Sequence, residues 1–262
     1  MTSDERPASL DVRGVTVRFG GVTALDGVSF RVPPNQVVGV IGPNGAGKTT
    51  LFNAVCGFVR PAAGEISYGG RALLGTPPHR LARLRIARTL QGLGLWRGMT
   101  VLDNVVGGSR RRSGFLSSLL ALPRIDRLER EVAGDAMETL EELGIGDRAH
   151  AYPDALPYGV RKKVAIARAL VARPSLLLLD EPASGLSSAE VEDLRELLGR
   201  LSERMSIAIV EHHVELVMNV SHQVTVLNVG RVIATGTPEE VQRDPAVAAA
   251  YLGGEAGAAG GA

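Results

Sequence analysis

Residues 37–50 read "VVGVIGPNGAGKTT", and the fold turns on how this stretch is read. Its first five residues are an unbroken apolar run, which fits a strand buried on both faces. A glycine-rich loop follows, and a helix is expected over roughly 47–57. Gly42, Pro43, Asn44, Gly45, Ala46, Gly47, Lys48 and Thr49 satisfy G-x-x-x-x-G-K-[ST] in the required strand–loop–helix setting. The glycines let backbone N–H groups close around phosphate oxygens, and the helix N-terminus adds partial positive charge. Lys48 is expected to reach the β- and γ-phosphates, and the Thr49 hydroxyl to bind Mg²⁺. A nucleoside triphosphate is the ligand this pattern suits.

A second stretch supplies acids. "SLLLLDEP" (175–182) reads as another buried strand that ends on Asp180 and Glu181. A carboxylate at that strand end is where a phosphate-loop protein holds its metal, which assigns Asp180 to Mg²⁺. Glu181, one residue on, can polarise an attacking water. Beside the first motif, a plain acidic turn before Pro182 is the weaker reading. His212 and His213 follow the strand "SIAIV" (206–210); one suits a phosphate contact, the other the surface of the next helix. Gln91 is polar at an expected strand end, and Phe19 stands beside the flexible Gly20-Gly21 as a platform for a base. Basic residues cluster at Arg80–Arg88, Arg110–Arg112 and Arg161–Lys163. The first two clusters read as solvated helix faces, with contact to phosphates, a partner or lipid headgroups as the alternative.

Strands are expected at 10–19, 28–32, 206–210, 223–228 and 231–236, and a hairpin over 65–75 turning at Gly69-Gly70. The stretch 78–151 reads as mostly helical, with Val132, Ala136, Leu140 and Leu143 on one face and Asp126 with Glu129 as a capping pair. Ser187 and Glu190 form a capping box ahead of the stripe Val191, Leu194, Leu198 and Leu201. A helix over 160–172 begins at "LPYGV" (156–160). Strands alternating with helices imply an α/β fold: a mainly parallel sheet covered on both faces, an antiparallel edge and an inserted helical subdomain. Residues 1–9 are expected to be flexible and the Gly/Ala-rich 253–262 disordered.

Composition narrows the function. Hydrophobic residues make up 45% of the chain but aromatics only 4%, so the core must be aliphatic. The formal net charge of +1 provides no general drive toward nucleic acid, and none is expected as partner. The single cysteine, Cys56, excludes an intramolecular disulfide and suits a reducing compartment. The N-terminus lacks the apolar core of a signal peptide. The most apolar stretch, "GFLSSLLALP" (114–123), is half of the roughly 18–20 residues that a bilayer requires.

Taken in order, Phe19, GPNGAGKT, Gln91, LPYGV, LLLLDEP and His212 resemble the ATP-binding subunit of an ABC transporter, over about residues 10–252. Further stretches resemble the Liv-type ATPases of branched-chain amino-acid importers: "RFGGVTAL", "LFNAVCGFVRP", "SGFLSSLLALPRI", the tyrosine of LPYG, "EPASGL" and "GTPEEVQRDPAVAAAYLG". The resemblance implies an ABC ATPase fold with a helical subdomain at about 92–172. It also implies hydrolysis of ATP with Mg²⁺ and a peripheral place on the cytoplasmic face of the membrane. The implied partners are transmembrane permease subunits, a second ATPase subunit and, indirectly, a solute-binding protein.

Residue by residue, the resemblance has Phe19 stack on adenine and Gly42 to Thr50 hold the phosphates and metal. Gln91 couples metal and water to the membrane subunit, Asp180 assists the metal, Glu181 is the general base, and His212 touches the γ-phosphate. LPYGV stands at the signature position that usually reads LSGGQ, so Tyr158 and Gly159 face a nucleotide held by the opposite subunit. The segment "GLGLWRGMTVLDNV" after Gln91, with Leu93, Leu95, Trp96 and Met99, is the expected docking surface for a permease helix, against the alternative that it packs the helical insert.

The chain also departs from that pattern. Pro157 replaces a serine hydroxyl, Val160 a glutamine, and Ser187 an aspartate or asparagine. One lost charge-assisted hydrogen bond costs about 1.5–3 kcal/mol. The site donated to a partner is thus expected to be weaker than the site carried, which suits a heteromeric pair. Urea, short amides or another small solute are alternative cargoes. A soluble ABC-type ATPase and a non-hydrolysing regulatory subunit are less well matched.

Overall fold

The computed structural model describes residues 8–89, 92–110 and 123–258. Gln91 and Arg111–Arg112 lie outside the described residues, as do most of 114–123 and the last four residues of the tail.

Two sheets form the frame. Strands β1 (Leu10–Phe19), β2 (Val22–Val32), β4 (Ala63–Tyr68) and β5 (Arg71–Ala72) make a four-stranded antiparallel sheet in the order β2-β1-β4-β5. Strands β3 (Val37–Ile41), β6 (Ile86–Arg88), β7 (Leu176–Asp180), β8 (Ser206–Val210), β9 (Gln223–Asn228) and β10 (Arg231–Gly236) make a six-stranded sheet in the order β10-β9-β3-β8-β7-β6. Every pair in it is parallel except β9–β10. Every residue of β3, β7 and β8 is buried, because each strand is covered from both sides.

The two faces of this sheet follow the strand period of two. Val38, Val40, Leu176, Leu178, Ala208 and Val210 join one core, shared with helix α1 (Lys48–Val55) and the antiparallel sheet. Val37, Leu177, Leu179, Ile207 and Ile209 join the other, shared with α3 (Pro123–Glu142), α4 (Tyr158–Leu170) and α5 (Ser188–Ser202). The short helix α2 (Val101–Val106) packs with α3 and α4, which lie with it between β6 and β7 in the chain. Helices α6 (Val214–Val220), α7 (Pro238–Arg243) and α8 (Pro245–Ala258) complete the chain.

Several local expectations are corrected. Strand β6 interrupts the region read as helical, because its three residues pair with Leu176–Leu178 of a strand some 90 positions away. Asp126 lies inside helix α3 (Pro123–Glu142), so with Glu129 it is an interior position of the helix and not the expected capping pair. Helix α4 begins at Tyr158, two residues before the expected 160. Helix α8 continues through Ala258 into the tail expected to be disordered, where alanine favours helix. Among the described residues no helix is long and apolar enough to cross a membrane.

Candidate nucleotide site

The carboxyl ends of β3, β7 and β8 lie side by side, the edge where open α/β sheets bind ligands. Register brings the groups together: Asp180 pairs with Val210, and Val40 pairs with Val210 from the other side. The loop after Ile41 therefore emerges beside Asp180-Glu181 and Glu211-His212.

The loop is shaped by close backbone approach. Gly42 has φ 150°, and a Cβ there would lie 2.0 Å from the Leu227 carbonyl oxygen. Gly47 has φ 102°, and a Cβ there would lie 2.7 Å from the Ala24 carbonyl oxygen. Only hydrogen fits at either place. Ala46 N–H donates to the Pro43 carbonyl (3.1 Å), and the Ala46 carbonyl accepts from Gly230 N–H (3.0 Å), which fastens the loop to the β9–β10 turn. Asn44 and Gly45 are exposed at its tip, and Thr49 and Thr50 stand half-buried in the first turn of α1.

Lys48 is buried and folds back on the loop, donating from Nζ to the carbonyls of Gly42 (2.7 Å) and Pro43 (3.0 Å). Burial lowers its pKa, while the carboxylates of Glu181, Asp180 and Glu211 oppose the shift. Lys48 thus sits within the field of the three acids at the strand ends.

Asp180 is fully buried as a side chain. Its Oδ2 accepts from Arg88 Nη2 at 2.7 Å, and its Oδ1 has no hydrogen-bond partner. An ionised oxygen without a partner costs several kcal/mol in a dry interior. A divalent cation matches it chemically, and the Thr49 hydroxyl in the first turn of α1 is a second oxygen donor, so the residues present fit Mg²⁺. Arg88 also donates to Asn53 Oδ1 of α1 (2.8 Å) and lies over the rings of Phe52 (5.7 Å) and Phe58 (5.9 Å). It is a buried ion-pair partner, which corrects its reading as part of a solvated basic face.

Glu181 takes φ 50°, a left-handed conformation unusual for a residue with a side chain. Its N–H donates to the Val210 carbonyl (2.8 Å), and its Oε1 lies 3.2 Å from His212 Nε2. Glu211, buried at the end of β8, accepts from the backbone N–H groups of Ala183, His212 (3.0 Å) and His213 (3.3 Å). It fastens the turn after Glu181 to the loop bearing His212. His213 caps α6, its Nδ1 accepting from Leu216 N–H at 3.3 Å.

Phe19 ends β1 on the antiparallel sheet, half exposed (52%), opposite Val22. Tyr158 and Gly159 open α4. Tyr158 meets the turn after Glu181, where a Cβ on Gly185 would approach its Cε1 (2.9 Å), and Gly159 meets the first turn of α5, where a Cβ on it would overlap Glu190 Oε1. Pro157 is the N-cap of α4 and makes no side-chain capping bond. Between Gln91 and α2 the segment divides: Leu95 packs toward the helical core, whereas Trp96 (46%) and Met99 (47%) are exposed.

Sequence reasoning read Arg88 and Lys162 only as members of basic clusters and did not single out Glu211. For Arg88 and Glu211 a signal exists: each is a charged residue at the end of an apolar strand, "IAR" and "SIAIVE".

The ABC transporter family profile matches residues 25–184. The chain belongs to the ABC transporter family. A second profile, the branched-chain amino acid ATP-binding cassette transporter, matches residues 231–257 of this ABC subunit. The high-affinity branched-chain amino acid transport ATP-binding protein BraF of Pseudomonas aeruginosa is 40% identical over 248 residues, covering 93% of this chain and 97% of BraF. The protein of the same description named LivG, from Escherichia coli K12, is 39% identical over 248 residues with the same coverage. A nucleotide-free ATP-binding cassette from an ABC transporter superposes with TM-score 0.82 at 30% identity, covering 93% of this chain and 98% of that one. An ATP-binding cassette in its ADP conformation matches equally well, with TM-score 0.82 at 30% identity over 94% and 99%. ATP hydrolysis is the general activity of ABC cassettes, and the expected fold is the one observed.

Proposed function

We propose that this ATPase powers a membrane importer of branched-chain or other hydrophobic amino acids, docked on the cytoplasmic face of permease subunits. The cargo assignment is supported by the relatives' names and by the second profile over the C-terminal segment. The single observation that carries the mechanism is the convergence of Lys48, Asp180, Glu181 and His212 at one sheet edge.

On this reading the triphosphate settles on the N–H groups of Gly45 to Thr50, and Lys48 leaves the Gly42 and Pro43 carbonyls for the β- and γ-phosphates. Thr49, Asp180 and Gln91 hold Mg²⁺, which when bound neutralises charge on the β- and γ-oxygens. Glu181 accepts the proton of the attacking water. His212, which already meets Glu181 at 3.2 Å, orients that carboxylate and reaches the γ-phosphate. Phe19 stacks on the base.

A second ATPase subunit, a copy or a paralogue, completes the site with its own LPYGV segment. The uncapped first turn of α4 offers N–H groups to that γ-phosphate, while Pro157 provides no hydroxyl. Closure on ATP draws the permease subunits together, and hydrolysis resets them through loss of differential affinity for the closed form. Trp96 and Met99, exposed on the loop after Gln91, are the permease contact.

The test is size-exclusion chromatography of Glu181→Gln with and without MgATP. A shift to a dimer with ATP, with turnover nearly abolished, is expected. Wild-type hydrolysis by that variant would remove Glu181 as the base. A chain that binds ATP and stays monomeric would require a second, different ATPase chain.

A further inference from the structure

Helix α4 touches Glu181, the turn that follows it and the first turn of α5, one contact each. Tyr158 lies against Gly185, Gly159 against Glu190, and Lys162 Nζ donates to the Glu181 carbonyl at 2.7 Å. The first two are packing contacts made by the LPYGV segment itself. The third is a charged hydrogen bond to the backbone of the proposed base.

That bond has a distinctive target. Glu181 holds φ 50°, and a non-glycine residue stays in this region only when its surroundings fix it. Its N–H is committed to Val210 (2.8 Å), and its carbonyl accepts from Lys162 and, at 3.3 Å, from Ser184 N–H. Of these tethers, only Lys162 comes from outside the two strands and their turn. Lys162 is half-buried, and burial lowers its pKa against the pull of Glu211 and Glu181. The neighbouring Lys163 points elsewhere, to Asp193 at 3.1 Å on the exposed side.

We infer that Lys162 is a positioning residue linking the two nucleotide sites of one subunit: it carries the seating of LPYGV on a partner's nucleotide to the backbone of Glu181 in the subunit's own site. This rests on the sandwich proposed above. Rotation of α4 by the opposite γ-phosphate moves Lys162, and Lys162 moves the Glu181 peptide, whose side chain must stand correctly before water can attack. A misplacement of about 1 Å in such a group costs on the order of 10²-fold in rate. Binding of ATP on the phosphate loop draws on different residues and is untouched.

The experiment compares Lys162→Met and Lys162→Arg in the full chain, with and without Glu181→Gln. Lys162→Met is expected to bind a fluorescent ATP analogue with wild-type Kd while kcat falls about 10²-fold. Lys162→Arg, which keeps a charged donor, restores most of kcat. Combined with Glu181→Gln, Lys162→Met still forms the ATP-driven dimer, because the packing of Tyr158 and Gly159 survives. Wild-type kcat in Lys162→Met overturns the inference. So does loss of the dimer in the double variant, which would make Lys162 a ligand of the partner's nucleotide. Should Lys162→Met fail to fold, Lys162→Gln, a neutral donor, is read by the same two measurements. The underlying sandwich fails separately, when Glu181→Gln alone stays monomeric with MgATP.

Discussion

The Asp180–Arg88 pair ties stability to the proposed metal site. The pair is 2.7 Å apart, and both side chains are almost wholly buried (0% and 9% exposed). Removing two charges from water is costly, and the mutual attraction offsets it only while both partners are present. Arg88→Met leaves a carboxylate alone in the core and is expected to lower unfolding free energy by about 3–5 kcal/mol, read by urea titration. Arg88→Met with Asp180→Asn should recover most of that loss. A single variant as stable as wild type would mean that Asp180 is solvated without its partner. The two oxygens differ: Oδ2 is committed to Arg88, and Oδ1 has no hydrogen-bond partner.

At the scale of elements, residues 96–100 ahead of α2 are held by one buried amide. Asn104, fully buried on α2, accepts the Trp96 N–H (2.8 Å) and donates to the carbonyls of Trp96 (3.0 Å) and Thr100 (2.9 Å). Arg168 of α4 holds the other side through the carbonyls of Gly94 (2.6 Å) and Leu93 (3.2 Å), with its guanidinium 5.6 Å from the Trp96 ring. Asn104→Ala strands these backbone groups and should cost about 1–3 kcal/mol. Hydrogen exchange of amides 95–100 should quicken in that variant while ATP affinity is retained. Unchanged exchange would show that Arg168 suffices. Much at this scale was readable beforehand. The apolar runs of β3, β7 and β8 announce burial on two faces, and the candidate-site motifs stand at their ends. The Ser187–Glu190 capping box is local and was equally plain. Strand β6 was not, because three residues carry no period and its partner is distant. The role of Arg88 was hidden for the same reason, 92 positions from Asp180. Glu211 and Lys162 act on backbone groups, which sequence pattern does not display.

For the whole molecule, the site couples ligand to stability. Ligand that binds only the folded chain stabilises it by RT ln(1 + [L]/Kd), about 2.7 kcal/mol at a hundredfold excess over Kd. For a domain of this size that raises Tm by roughly 4–8 °C per about 2 kcal/mol of gain, or about 2–4 °C per kcal/mol. MgATP should therefore raise the melting temperature of wild type by several degrees, and Lys48→Ala should show no shift. An equal shift in both proteins would remove Lys48 from the binding site. The same assay in EDTA isolates the contribution of the metal to the fit argued from Asp180.

The strand order has a consequence for the birth of the protein. β8 lies between β3 and β7, so the phosphate loop and Asp180 become neighbours only when residues 206–210 take their place. A growing chain can already contain both motifs and still own no site. Competence for ATP thus arrives late in synthesis, once β8 has been threaded between two strands already made.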